Sequence, residues 1–367
     1  VWQPEIDDLA RLVRAAEAPL TPLAAASLQG VPVYDCATGL PHDRAALMAE
    51  WATVFAEGAG VLVLRQAFAE HAIVDAATAR FREMIDEQRR SGTGGGDHFA
   101  RPGANDRVWN ALQKLCLRDP ALFAAYYANP VLDAVCEAWL GPHWQLTSQV
   151  NCVNPGGAAQ TAHRDYHLGF MDAAQAARYP AHVHTMLSPR LTLQGAVAHV
   201  DMPLASGPTL YLPHSQKFPA GYLAPGQPGF QAFFDAHHVQ LPLAQGDAVF
   251  FNPALMHAAG HNRSSSILRL ANLLQVSSAF GRAMEAVDRE AMSIALYPVL
   301  LERPQLRLAL RCCAEGYAFP TNLDLDPPLG GLAPPSAQAL MAEALDQRWP
   351  PARFEAELRR RAALRQA

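Results

Sequence analysis

Between Trp144 and Val276 the chain is cut into short apolar or alternating runs, and this constrains its fold more than any other feature. WQLTSQVNCV (144–153), LTLQGAVAHV (191–200), PTLYLP (208–213), HHVQLPL (237–243), DAVFF (247–251) and SILRLANLLQV (266–276) are each about one strand long. Turn-forming stretches separate them: NPGG, ASGP, PGQPG and AQGD. Many short strands with Gly/Pro punctuation point to a β sandwich or a jelly roll.

The flanks have a different texture. DRAALMAEWATVFAEG (43–58) and AEHAIVDAATARFREMIDEQRR (69–90) carry helical periodicity, with Asp43 near the start of the first. GVLVLRQ (60–66) reads as one strand between them. SGTGGGDHFARPGAND (91–106) reads as a loop, either a linker or a lid, and no GK[ST] follows its glycines to make a phosphate loop. RVWNALQKL and PVLDAVCEAWLG look like two more helices. Helical patterns return after residue 280, and a proline-rich stretch (319–336) leads to a last amphipathic helix. The expected plan is one domain over 1–367: a helical lead-in (1–143), a β core (144–276) and a helical extension (277–367).

Composition removes some function classes. Net charge is −5 with no basic run, and Lys114 and Lys217 are the only lysines, so a nucleic-acid partner is not expected. No apolar run reaches membrane-spanning length and nothing resembles a signal peptide, so no membrane partner is expected and cytoplasm is the default compartment. Cys36, Cys116, Cys136, Cys152, Cys312 and Cys313 show no CxxC pair and read as reduced thiols, mostly core.

The chemistry-bearing residues fall in the β core. In TAHRDYHLGF (161–170), His163 and Asp165 alternate with Arg164, so on a strand their side chains share a face and can fill adjacent positions around a metal. The pattern alone is weak, because the chain holds a second copy at His199-Val200-Asp201. GDAVFFNPALMHAAGHN (246–262) supplies the missing context: a turn, a strand and a bend place His257 where an inward position would face the first pair across a jelly roll. Two histidines and one carboxylate cap one face of an octahedral metal and leave three positions open, which suits non-haem Fe(II) with a chelating cosubstrate and O2. Arg269 then interrupts the apolar run ILRLANLL. A buried guanidinium needs an anionic neighbour. The far carboxylate of 2-oxoglutarate, in a bidentate charge-assisted pair, is one candidate, and an internal Asp or Glu is the other.

HRDYH (163–167), SGPTLYLPHSQK (206–217) and GDAVFFNPALMHAAGHN (246–262), in this order along the chain, together with the stretch RVWNALQKL…NPVLDAVCEAWLGPHWQLTSQVN, resemble the phytanoyl-CoA dioxygenase family of Fe(II)/2-oxoglutarate oxygenases over about residues 45 to 276. The resemblance implies a double-stranded β-helix (jelly-roll, cupin-like) core. It implies His163, Asp165 and His257 as iron ligands and Arg269 as the clamp on 2-oxoglutarate. Asn151 and Gln194 match polar positions that help bind the cosubstrate. The chain departs from the family at one place: the arginine stands twelve residues after the distal histidine rather than eleven, where Leu268 falls. One extra residue in RSSS explains this, with Arg263 as the fallback in a polar turn. The turn at 206–217 lacks the usual Gly-Ser-His order, and His214 reads as structural. His199 and Asp201 read as turn and core packing, while His167 and His261 flank the ligands and await a role. Arg107, Trp109 and Asn110 either line the mouth or start a packed helix.

The implied reaction is hydroxylation of a C–H bond in a small-molecule substrate by a non-haem iron dioxygenase that uses Fe(II), 2-oxoglutarate and O2 and releases succinate and CO2. Asp165 argues against halogenation, which needs a small residue there. Two rivals use the same residues: a cupin-like Zn(II) hydrolase or isomerase, and a non-catalytic jelly-roll binding protein. Substrate identity and oligomeric state are not legible.

Overall fold

The computed structural model describes residues 3–93 and 103–366. Most of the glycine-rich stretch expected as a loop therefore lies outside the described residues. Among the described residues eleven strands form two sheets. In chain order they are β1 (Ala26–Leu28), β2 (Val31–Asp35), β3 (Val61–Arg65), β4 (Asn105–Val108), β5 (Gln145–Val153), β6 (Thr192–Ala198), β7 (Leu210–Tyr211), β8 (Val239–Gln240), β9 (Ala248–Phe251), β10 (His257–Ala258) and β11 (Arg269–Ser277). The larger sheet has the order β1-β2-β3-β9-β6-β11-β5-β4 and the smaller the order β10-β7-β8. From β5 onward the chain passes back and forth: β5, β6, β9 and β11 go to the larger sheet, and β7, β8 and β10 to the smaller. An isolated antiparallel bridge, His163 with His257, extends the smaller sheet beyond β10. This alternation is the double-stranded β-helix, or jelly roll.

Strand periodicity explains how the larger sheet serves both core and cavity. Along β11, Leu270, Leu274 and Val276 face the helices and join Val150, Cys152, Leu193 and Val197 in the main apolar core. Arg269, Ala271, Leu273 and Gln275 face the other way, into a cavity between the sheets. The register pairs Arg269 with Val153, Ala271 with Asn151, and Gln275 with Gln194. Asn272 is the one polar intruder on the helix side. It is fully buried and donates to the hydroxyls of Tyr126 (3.3 Å) and Tyr127 (3.1 Å), which removes the penalty of an unpaired amide N–H.

Three segments differ from expectation. The residues before 144 carry more strand than expected: besides β3, read from GVLVLRQ, they supply β1, β2 and β4, because VPVYD lies alongside VLVLR at one edge and Asn105–Val108 pairs with β5 at the other. The helix expected over RVWNALQKL is split, with β4 ending at Val108 and a helix spanning Ala111–Arg118, since Arg107 pairs with Asn151 of β5. HHVQLPL yields only the two-residue β8, preceded by the helix Pro228–His237. That helix prevails because Phe230, Phe233 and Phe234 fall at helical spacing and bury on one side. The helix Arg44–Ala56 begins as expected, with the Asp43 side chain accepting from the Ala46 N–H at 2.9 Å.

The extension after β11 packs back on the lead-in. The helix Arg289–Glu302 lies against Ala111–Arg118 and Pro120–Tyr127, and Tyr297 stacks on Phe354 of the last helix at 4.1 Å. All six cysteines are free and buried. No helix among the described residues is long and apolar enough to cross a membrane.

Candidate active site

The bridge between residues 163 and 257 places the two histidines. His163 N–H donates to His257 O at 2.9 Å and His257 N–H to His163 O at 3.0 Å, a closely spaced antiparallel pair whose side chains stand together. Their ring centroids are 4.6 Å apart. Asp165, two residues on, returns to the same side, and its N–H donates to Pro253 O at 3.2 Å.

The proton positions follow from the partners. His163 Nδ1 lies 2.8 Å from Thr161 O, and His257 Nδ1 lies 2.9 Å from Leu255 O. A carbonyl oxygen only accepts, so each Nδ1 carries the hydrogen and each Nε2 is left with a lone pair. Both Nε2 atoms are aimed at one carboxylate: His163 at Asp165 Oδ1 (3.5 Å) and His257 at Oδ2 (3.4 Å). The donor atoms of the three side chains lie within 4.8 Å of one another. Lone pairs converging on a carboxylate repel unless a cation sits among them. Two imidazole nitrogens and one carboxylate oxygen, with each imidazole N–H anchored behind, are a donor set that fits a divalent first-row metal such as iron.

Burial alone would push the Asp165 carboxyl up, but the hydrogen bond and charge of His257, the charge of His163 and the amide of Gln194 outweigh it. These histidine contributions belong to the metal-free form with the imidazoles protonated, and there they hold the group well below the usual carboxylate range. Gln194 Nε2 donates to Asp165 Oδ2 at 2.5 Å and to Gln275 Oε1 at 3.2 Å. The carboxylate cannot donate, so this orientation of the amide is fixed. Gln194 thus contacts the carboxylate of the cluster directly, and its own buried Oε1 has no partner.

The cluster opens onto a cavity of about 430 Å³ between the sheets. Arg269 lines it as the first residue of β11. Its guanidinium is 7% exposed, and Nη1 donates to Ser206 O (3.2 Å) and Gly260 O (3.1 Å). No carboxylate among the described residues forms an ion pair with it, so the internal Asp or Glu partner weighed from the sequence is not found. Burial pushes its pKa down to about 10, which leaves it charged at neutral pH. The extra residue before it is taken up by a clasp. Buried Asn262 donates to Val153 O (3.1 Å) and Ile267 O (2.8 Å) and accepts from Ser264 N–H (3.1 Å) and its hydroxyl, so the ladder starts at Arg269 opposite Val153. Arg263, inside this loop, is exposed, and so is Leu268.

Asn151 also lines the cavity, its Oδ1 accepting from Asn105 at 3.2 Å. Farther out stand Arg107, Trp109, Gln149, Phe170 and Met284. Arg107 donates to Gln149 at 2.8 Å, and its guanidinium lies 4.9 Å from the centre of the Trp109 ring. Met284 belongs to the segment after β11. Its neighbour Glu285 accepts the Asn110 N–H at 2.6 Å, which ties that segment to the residue after Trp109. Burial pushes the Glu285 carboxyl up.

The remaining candidates lie elsewhere. His167 meets Ser188 Oγ at 3.2 Å, His261 is exposed, and His214 sits in left-handed backbone (φ 69°) away from the cavity. His199 is fully buried between Thr78 (2.7 Å) and Tyr126 (2.9 Å), and Asp201 faces Gln245 N–H at 2.9 Å. Gln149, Gln275, Arg164 and Met284 escaped the sequence reading. For the glutamines, alternation with Asn151 on β5 and with Arg269 on β11 was an available signal, whereas Met284 falls in a stretch with a helical sequence pattern that stays irregular until the helix begins at Arg289.

Residues 56–271 match the family described as Phytanoyl-CoA dioxygenase. A curated relative, "Dioxygenase trt7" of Aspergillus terreus (strain NIH 2624 / FGSC A1156), is 25% identical over 214 residues, 57% of this chain and 67% of the relative. Among solved structures, the non-heme alpha ketoglutarate dependent epimerase SnoN from nogalamycin biosynthesis is 18% identical, with a TM-score of 0.43, over 64% of this chain and 82% of that one. The alpha ketoglutarate dependent carbocyclase SnoK from the same biosynthesis is 19% identical, with a TM-score of 0.43, over 66% and 86%.

Proposed function

Since the chain belongs to the phytanoyl-CoA dioxygenase family, which it matches over residues 56–271, we propose that this Fe(II)/2-oxoglutarate-dependent enzyme hydroxylates a C–H bond of a small-molecule substrate. The observation that carries the reading is the meeting of two imidazole nitrogens and a carboxylate in a cavity that is also lined by Arg269, a buried arginine that pairs with no carboxylate among the described residues. His163, Asp165 and His257 hold the iron. When bound, iron supplies the redox chemistry by which R–H, 2-oxoglutarate and O2 become R–OH, succinate and CO2.

The protein positions and excludes. Arg269 receives the distal carboxylate of 2-oxoglutarate in a site too dry to screen the charge. Gln194 holds the Asp165 carboxylate so that its oxygens face the histidines, and Gln275 steadies Gln194. Asn151, on the strand next to β11, offers a carboxamide to the cosubstrate. The substrate enters past Trp109, Phe170 and Met284. Asp165 is the one carboxylate among the described residues that line the cavity, so a cationic substrate would find no free counter-charge there. Neutral or anionic molecules with a sizeable apolar surface fit best.

Anaerobic titration with Fe(II) and then 2-oxoglutarate tests the reading through the visible charge-transfer band of the chelate. A substrate screen follows by mass gain of one oxygen with matched succinate. A protein that forms no band, or that turns over a substrate with Zn(II) and without 2-oxoglutarate, would be a different enzyme.

A further inference from the structure

Arg164, the residue between the two ligands of the first pattern, is 1% exposed, and it forms no salt bridge with a carboxylate among the described residues. Its Nη2 donates to Ser215 O and to Phe218 O (3.1 Å), its guanidinium lies 5.1 Å from the centre of the Tyr222 ring, and its Nε has no partner. Taking a guanidinium out of water costs several kcal/mol, which two carbonyls and one ring face offset only in part. Both carbonyls are also served without it: Phe218 N–H donates to Ser215 O at 3.1 Å and Gly221 N–H to Phe218 O at 3.2 Å. An apolar side chain of similar length would satisfy stability equally well.

What the arginine adds is a connection. Ser215, which it grips, accepts the Met256 N–H on its Oγ at 2.8 Å, and Leu212 N–H donates to Met256 O at 2.9 Å. Met256 precedes His257. One turn, 212–218, is therefore bonded on one side to the residue between His163 and Asp165 and on the other to the residue before His257. The pocket around the guanidinium is shaped for it: a Cβ on Gly221 would lie 1.9 Å from Arg164 Cζ.

The direct backbone bridge sets His163 beside His257. We propose that Arg164 is a positioning residue that, by gripping the 212–218 turn behind His257, holds the segment carrying Asp165 in place relative to the two histidines. This rests on the reading of the three residues as iron ligands. It acts through hydrogen bonds, without touching the metal or the substrate.

Co(II), whose visible absorption reports ligand geometry, is the probe. It is titrated into the full-length protein and into the Arg164→Met, Arg164→Lys and Gly221→Ala variants, with the thermal midpoint measured in parallel. Arg164→Met should keep a midpoint near that of the parent while Co(II) Kd rises about 10–100-fold, the range found when a partner behind a metal ligand is lost. Arg164→Lys, which can still reach one carbonyl, should recover part of this. Gly221→Ala should reproduce the loss by expelling an intact Arg164. A parent protein that binds no Co(II) overturns the iron-site reading itself. A parent that binds it, beside folded Met and Ala variants of equal Kd and unchanged spectrum, overturns the role given to Arg164 alone. Failure of all three variants to fold makes Arg164 a stability element and overturns it too.

Discussion

His163-Arg164-Asp165 and His199-Val200-Asp201 share a spacing, yet only the first contributes to a cluster of donor atoms. In the first, a backbone carbonyl accepts from Nδ1, and Nε2 is turned toward the Asp165 carboxylate. In the second, both ring nitrogens are consumed. Thr78 gives its hydroxyl hydrogen to Val74 O (2.7 Å) and so accepts from His199 Nδ1, and the Tyr126 hydroxyl donates to Nε2. Asp201 has left the core altogether. The spacing is the same in both copies; what differs is that the fold turns the first pair toward His257 and the second pair apart.

That contrast can be broken at several strengths. The largest effect belongs to the first pattern: Asp165→Ala or His257→Ala should abolish Fe(II) retention and 2-oxoglutarate turnover, a loss greater than the roughly 10–100-fold expected for a partner behind a ligand. Metal content after gel filtration and succinate release measure it. Next, Arg269→Met should leave metal content intact and lower kcat/KM for 2-oxoglutarate by roughly 30-fold or more, since breaking a buried charge pair costs about 2–5 kcal/mol. An unchanged kcat/KM would move the cosubstrate elsewhere.

The second pattern should answer in stability instead. Burial and the charge of Arg82 push the His199 pKa down to about 3, below its ordinary value of 6.5. The unfolded chain then binds the extra proton first, so this contribution is complete above pH 6.5 and fades as pH falls toward 3, by about 1.4 kcal/mol for each pH unit. His199→Phe, which sits between Phe81 and Tyr126, should flatten that slope in urea melts. It should cost about 1–3 kcal/mol at pH 7 through the stranded hydroxyls and leave metal binding unchanged. Asp201→Asn should be the quietest change, within about 0.5 kcal/mol and silent in activity. A drop in metal content for either variant would erase the distinction between the two patterns.

The parts of this molecule legible in its sequence are those with a periodic or local signature. Alternation located β5, β6, β9 and β11, and the bend NPAL located His257. Arg269 was legible because an arginine in an apolar strand is a local contradiction, and the displaced spacing did not hide it. What escaped depends on distant chain. Val31–Asp35 and Asn105–Val108 are strands because of what lies beside them, β3 in one case and β5 in the other. Gln194 matched a polar position in the sequence, but its contact with Asp165 requires knowing that β6 runs beneath the 163–165 segment. Arg164 reads as a spacer until the turn it grips is seen.

Met284 and Glu285 lie beyond the matched region 56–271, on the strip that leads from the sheet to the closing helices. The cavity wall is thus shared between two stretches of the chain: Trp109 and Phe170 come from inside the matched region and Met284 from beyond it. Shortening the protein after Ser277 would remove Met284 from the cavity wall, but it would also strip Met292, Leu296, Tyr297 and Phe354 from the main apolar core, so the extension is a structural part of the enzyme and not a detachable cap.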